Sequence, residues 1–122
     1  MSTIKANTLL HSDGSTTTQP SIPALDKRMA SAWVDFDGSG TVSINDSYGV
    51  SSISDISTGT YEVNFTVAMA NANYAAVSTT DTSRYNSSSG NHTTTKFKTA
   101  IRNDAAAYAD DAVSAIVMGG QA

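Results

Sequence analysis

Residues 60–66, Thr60-Tyr61-Glu62-Val63-Asn64-Phe65-Thr66, alternate apolar and polar side chains without a break. A period of two separates side chains onto opposite faces only when the backbone is extended. The stretch therefore predicts a half-buried strand with Tyr61, Val63 and Phe65 toward a core and Glu62, Asn64 and Thr66 away from it. Ser57-Thr58-Gly59 precedes it as a turn. Upstream the pattern repeats. Ala32-Trp33-Val34-Asp35-Phe36 is rich in the aromatic and β-branched residues that strands favour. Asp37-Gly38-Ser39-Gly40 supplies turn formers tolerant of positive φ. Thr41-Val42-Ser43-Ile44 alternates again, setting Val42 and Ile44 on one face, and Val50, Ile53 and Ile56 follow a polar break. Residues 32–66 thus predict antiparallel sheet, with Trp33, Tyr61 and Phe65 assigned to core phase.

The supply of core-forming side chains is thin. Leu, Ile, Val and Phe make up about 17% of the 122 residues, below the roughly 20% that ordinarily marks a packed globular chain. Net charge is only −4, so self-repulsion does not account for this as it would in a disordered chain. A small core with modest charge favours completing burial against other copies of the chain. We therefore expect a homo-oligomer, with a trimer favoured. The chain has no cysteine, which excludes disulfides and thiolate metal sites. No apolar run approaches the eighteen or so residues that span a bilayer, and the first thirty residues lack the pattern of a secretory signal. No membrane insertion is expected. Acidic balance and scattered Lys and Arg argue against nucleic acid as a partner.

Along the rest of the chain, residues 1–23 are polar, carry Pro20 and Pro23, and offer Ile4, Leu9 and Leu10 as the large apolar side chains before Ile22. Such a segment has too little apolar surface to bury itself. We read residues 1–23 as an extended N-terminal attachment arm and residues 24–122 as the domain. Ala24 to Ser31 reads as a short helix, with Pro23 suited to its first position and Leu25 and Met29 on one face. Val67 to Asn71 reads as a loop and Asn73 to Ser78 as a strand. Thr79 to His92 reads as one long polar connection, of the kind that is either mobile or binding. Thr93 to Arg102 is a strand with Thr95, Phe97, Thr99 and Ile101 on one face. Residues 103–111 are either helix or a bulge, and Ala112 to Met118 is a closing strand stopped by Gly119-Gly120. Short strands, close turns and little helix give the fold class: all-β, a small antiparallel β-sandwich.

Several segments resemble a known family. Ala32-Trp33-Val34-Asp35-Phe36-Asp37-Gly38-Ser39-Gly40, Ser47-Tyr48-Gly49-Val50-Ser51-Ser52-Ile53, Gly59-Thr60-Tyr61-Glu62-Val63-Asn64-Phe65, Met69 and Ala72-Asn73-Tyr74 are similar to the segments of a small β-domain of bacteriophage tail-fibre and virion proteins, notably of marine phages. The opening residues 1–10 resemble the start of such proteins. The resemblance covers about residues 1–10 and 32–77. It implies a non-enzymatic structural protein of the virion, a tail fibre or tail component that assembles through its N-terminal arm (Ile4, Leu9, Leu10) on other virion proteins. A capsid decoration protein is the alternative.

Chemistry is harder to find. Asp35, Asp37, Ser39 and Asp46 fall at positions 1, 3, 5 and 12 of a calcium loop, with Gly40 at position 6. Such loops join helices, however, whereas strand-forming residues flank this one, so the stretch is read as a hairpin turn and no metal or other cofactor is expected. The two histidines, His11 and His92, stand in no recognisable relation to a nucleophile, and catalysis is not expected. For host attachment the best candidate is the 79–92 segment, where Arg84, Tyr85, Asn86, Asn91 and His92 would meet a receptor or host-surface glycan.

Overall fold

The computed structural model describes residues 2–16, 22 and 27–121. Eight strands run through it: β1 (Ala30–Asp37), β2 (Ser43–Tyr48), β3 (Val50–Ser57), β4 (Thr60–Phe65), β5 (Ala75–Thr80), β6 (Tyr85–Gly90), β7 (Lys96–Arg102) and β8 (Ala112–Met118). They form two four-stranded sheets, ordered β2-β1-β8-β5 and β3-β4-β7-β6, and every strand pair is antiparallel. Helix is absent among the described residues. The all-β reading holds, and the two facing sheets have the layout of a small β-sandwich.

Alternation builds the core. From the first sheet Ala32, Val34 and Phe36 of β1 and Val113, Ala115 and Val117 of β8 point inward. From the second, Tyr61, Val63 and Phe65 of β4 meet them with Phe97 and Ile101 of β7. Phe36 and Tyr61 touch edge-to-face across the sheets at 5.2 Å, the geometry aromatic quadrupoles favour. The predicted core face of residues 60–66 is thus the observed one. The chain changes sheet between β2 and β3 at Gly49, whose φ of +70° and position against the Ser31 carbonyl leave no room for a Cβ (2.7 Å).

Three expectations are corrected, and the open reading of residues 103–111 is decided. Trp33 is not in the core. Within β1 it shares phase with Asp35 and Asp37, opposite Val34 and Phe36, and so it faces outward, 36% exposed. Of the short helix over 24–31, residues 24–26 lie outside the described residues. Lys27 to Met29 form turns and a bend, while Ala30 and Ser31 already belong to β1. So short a helix is marginal in water, and the ladder to β8 claims its end through the pair Ala30 and Met118. The connection over 79–92 shrinks to residues 81–84, because β5 runs to Thr80 and Tyr85–Gly90 form β6. This polar segment holds as a strand because it lies at a sheet edge and its inward side chain finds polar partners. Asn86 bonds to Ser78 and to Thr99 Oγ1 (2.6 Å), and Ser78 and Thr99 lie 2.8 Å apart. Residues 103–111, finally, are irregular. Asn103 Oδ1 accepts the amides of Ala105 and Ala107, both at 3.0 Å, so the alanines that favour helix give up their N–H groups to a local cap instead.

Candidate interaction surfaces

The outer faces of the two sheets differ in kind. On β3-β4-β7-β6 the middle of the outer face is Ser52, Ser54, Glu62, Asn64, Lys96 and Lys98, with Ile56 exposed on β3 and Tyr85 beside Arg102 at the β6 edge. Lys96 pairs with Glu62 at 2.7 Å, and the Asn64 amide donates to Ser54 Oγ at 2.9 Å. The middle of that face is made for water. On β2-β1-β8-β5 one row across all four strands is apolar: Tyr48 opposes Trp33, Trp33 opposes Ile116, and Ile116 opposes Val77. Ile116 is 48% exposed and Val77 65%. The neighbouring row adds Met118 between Ala30 and Ala75. Two residues the other way the row turns polar, as Asp46, Asp35, Ser114 and Thr79. A shallow depression of about 220 Å³ lies over Val77, Thr79, Ser114 and Ile116. A polar one of about 300 Å³ adjoins it at Asp35, Asn45, Thr79 and Asp81.

The apolar face has a signal in the sequence. In β8, Val113, Ala115 and Val117 are inward, yet the outward Ile116 and Met118 are apolar too. A near-continuous apolar run is the mark of a strand covered on both faces.

No family model matches the chain, and searches of curated proteins and of solved structures find no match.

The candidate contact residues of the 79–92 segment separate in space. Arg84 turns inward to the Asp110 carbonyl and to Asp111 (3.7 Å). Asn86 enters the space between the sheets. His92 stacks parallel on Tyr74 with ring centres 4.6 Å apart, and Asn91 is exposed with φ of 49°. Tyr85 faces out, 45% exposed, and its strand neighbour is Arg102. Arg102 is bridged on its other side by Tyr108 and lies 4.1 Å over that ring. A row Tyr85-Arg102-Tyr108 results, a cation between two aromatics. Arg102 and Tyr108 carry no signal in the sequence, since they are six positions apart across an irregular loop.

Asp35, Asp37, Ser39 and Asp46 lie on a β-hairpin. Asp35 and Asp46 are cross-strand neighbours on the outer face, Asp37 accepts the Ser39 amide at 2.8 Å, and Asp46 accepts the Ser47 amide at 2.9 Å. Among the described residues no group of three or more His, Cys, Asp or Glu is placed to hold a metal ion. Ile4, Leu9 and Leu10 are 90%, 68% and 47% exposed in a segment, residues 2–16, without strand or helix.

Asp110 and Asp111 tie the turns together at one end. Asp110 Oδ1 accepts the Gly59 amide at 2.7 Å and lies 2.9 Å from the Tyr61 hydroxyl, which also reaches the Gly38 carbonyl at 3.1 Å. Asp111 accepts from the Thr82 hydroxyl at 2.8 Å, and its carbonyl takes the Gly38 amide at 3.0 Å. Burial first, then the hydrogen bond to Asp110 and its charge, push the Tyr61 hydroxyl well above the ordinary tyrosine value. The folded chain therefore keeps this proton at a pH where the unfolded chain releases it. The contribution is fully present below about pH 10, and stability falls as pH rises beyond it. Urea midpoints at pH 9 and pH 11 should differ, and Tyr61→Phe should shrink the difference. It should not abolish it, because burial raises Tyr74 as well.

Proposed function

We propose that this chain is a non-enzymatic structural protein of a phage virion, a tail fibre or tail component that assembles through its N-terminal residues and presents a β-sandwich. The observation that carries the reading is the resemblance over residues 1–10 and 32–77. Its segments fall on strands β1 to β4 and on Tyr74, whose side chains supply much of the core. A segment that exposes Ile4, Leu9 and Leu10 together with a sheet that exposes Trp33, Val77 and Ile116 supports an assembling, oligomeric protein, a trimer for preference. Capsid decoration is the alternative location.

The Tyr85-Arg102-Tyr108 row favours a second reading, in which the domain also meets a host-surface glycan. Aromatic faces beside a guanidinium suit sugar rings and their hydroxyls.

Immunogold labelling of purified particles of a phage encoding this chain tests the first reading, which expects label on the particle, at the tail for a fibre or tail component. Particles free of the chain overturn it. Tyr85→Ala with Tyr108→Ala should leave assembled particles that no longer adsorb if the second reading is right. Unchanged adsorption removes it.

A further inference from the structure

We propose that the outer face of sheet β2-β1-β8-β5 is the seat for the N-terminal segment of a second copy of this chain, with Ile4, Leu9 and Leu10 laid across Trp33, Ile116 and Val77. The inference rests on the homo-oligomer reading and adds where the copies meet and by which residues.

Three observations converge. The first is the contrast between faces: one outer face is Ser, Asn, Glu and Lys through its middle, with Ile56 and Tyr85 exposed toward its edges, whereas the other carries an apolar row unbroken through four strands. β8 has the pattern of a strand covered on both sides, yet its outward Ile116 and Met118 are exposed in the single chain. The second is that the chain holds matching apolar material that is itself exposed. Ile4, Leu9 and Leu10 are exposed at 90%, 68% and 47%. The third is charge. The four strands of this sheet hold Asp35, Asp37 and Asp46 and neither Lys nor Arg, whereas Lys5 follows Ile4 directly. An apolar side chain on the apolar row would bring that cation within reach of the acidic row beside it.

Area decides for the segment over simple face-to-face pairing. Four strands at about 4.8 Å spacing make a face under 20 Å across, and a specific interface covers about 800 Å² per partner. The two apolar rows alone fall short of that. Ten residues of extended chain reach about 33 Å, enough to cross all four strands, and each chain would both give and receive such a segment. One-way contacts of this kind close into rings where the rotation closes and run on as filaments where it does not; a trimer is the case of a threefold closure.

The sequence has a single tryptophan, Trp33, so its emission reads this face directly. Three variants separate the possibilities: a segment variant (Ile4→Ser, Leu9→Ser, Leu10→Ser), a face variant (Trp33→Lys, Ile116→Lys) and a control on the opposite outer face (Ser52→Lys). All changed positions are exposed, and far-ultraviolet circular dichroism checks that the sheets persist. In wild type and control, Trp33 emission should shift to the blue as concentration rises. In the segment variant it should stay red throughout. The face variant has no tryptophan. Titrated into the segment variant, it should shift the emission to the blue, because its intact segment fits the other chain's intact face.

Failure of that complementation overturns the proposal. So does blue emission independent of concentration in a monomeric wild type, which would mean the segment folds back on its own chain. If wild type assembles with unchanged Trp33 emission, this seat is wrong while the oligomer reading survives. A wild type that stays monomeric with red emission ends both.

Discussion

Phe97→Ala should be the most damaging single truncation, costing about 3–5 kcal/mol, as large-to-small changes at fully buried aromatics do. Phe97 has no exposed surface, pairs with Val63 across β4 and β7, and packs near Phe65 and His92 with ring centres 6.1 and 6.2 Å away. Short side chains reach little into such a hole, and apart from its aromatics the core cluster is alanine and valine with only Met69 and Ile101 longer. Domains of this size hold only about 5–15 kcal/mol in total. Urea unfolding followed by circular dichroism should show a midpoint roughly halved, or a chain already unfolded at 37 °C. A loss under 1 kcal/mol would mean the core does not close where Phe97 sits.

Gly59→Ala should come second, at about 3–5 kcal/mol, and a matched control isolates the cause. Gly59 has φ of +66°, and a Cβ there would stand 2.6 Å from the Ala109 nitrogen and 2.7 Å from the carbonyl oxygens of Ala109 and Ile101. These are backbone atoms in hydrogen bonds, since Ile101 donates to Gly59 at 2.7 Å and Ala109 donates to Ile101 at 3.2 Å. Backbone in this region costs a side-chain-bearing residue about 1–3 kcal/mol, and overpacking adds a similar amount. Gly40 has nearly the same φ, +68°, with nothing within 4 Å of its would-be Cβ. Gly40→Ala should therefore lose only the conformational part, about 1–2 kcal/mol. Equal losses at the two glycines would show that crowding at the Asp110 end of the sandwich is not what fixes Gly59.

Strands whose two phases differ in polarity are legible in the amino-acid order alone. Residues 60–66 fold as their alternation requires, and Ala112 to Met118 opens and closes where the residue pattern places it. Trp33 misleads because its size suggests burial while its phase does not. Its neighbours at two-residue spacing, Asp35 and Asp37, point outward with it. β6 escapes a sequence reading for the opposite reason, since Tyr85-Asn86-Ser87-Ser88-Ser89-Gly90 has no apolar phase to read. Its place depends on edge pairing with β7 and on the bonds of Asn86 to Ser78 and Thr99, which are long-range and invisible in a local window. The same limit hides the row of Tyr85, Arg102 and Tyr108. The apolar outer face is different: the double-phase pattern of β8 is present in the sequence, but only the sheet order shows that Trp33, Ile116 and Val77 stand side by side.

The proposed assembly rests on the apolar row that crosses the outer face of β2-β1-β8-β5. Light scattering with mass determination on the intact chain, from micromolar to hundreds of micromolar, tests this most directly. Assembly predicts a mass that climbs to a fixed multiple of the 12.7 kDa chain, with roughly 38 kDa expected for a closed ring of three. A mass of 12.7 kDa at every concentration would contradict it.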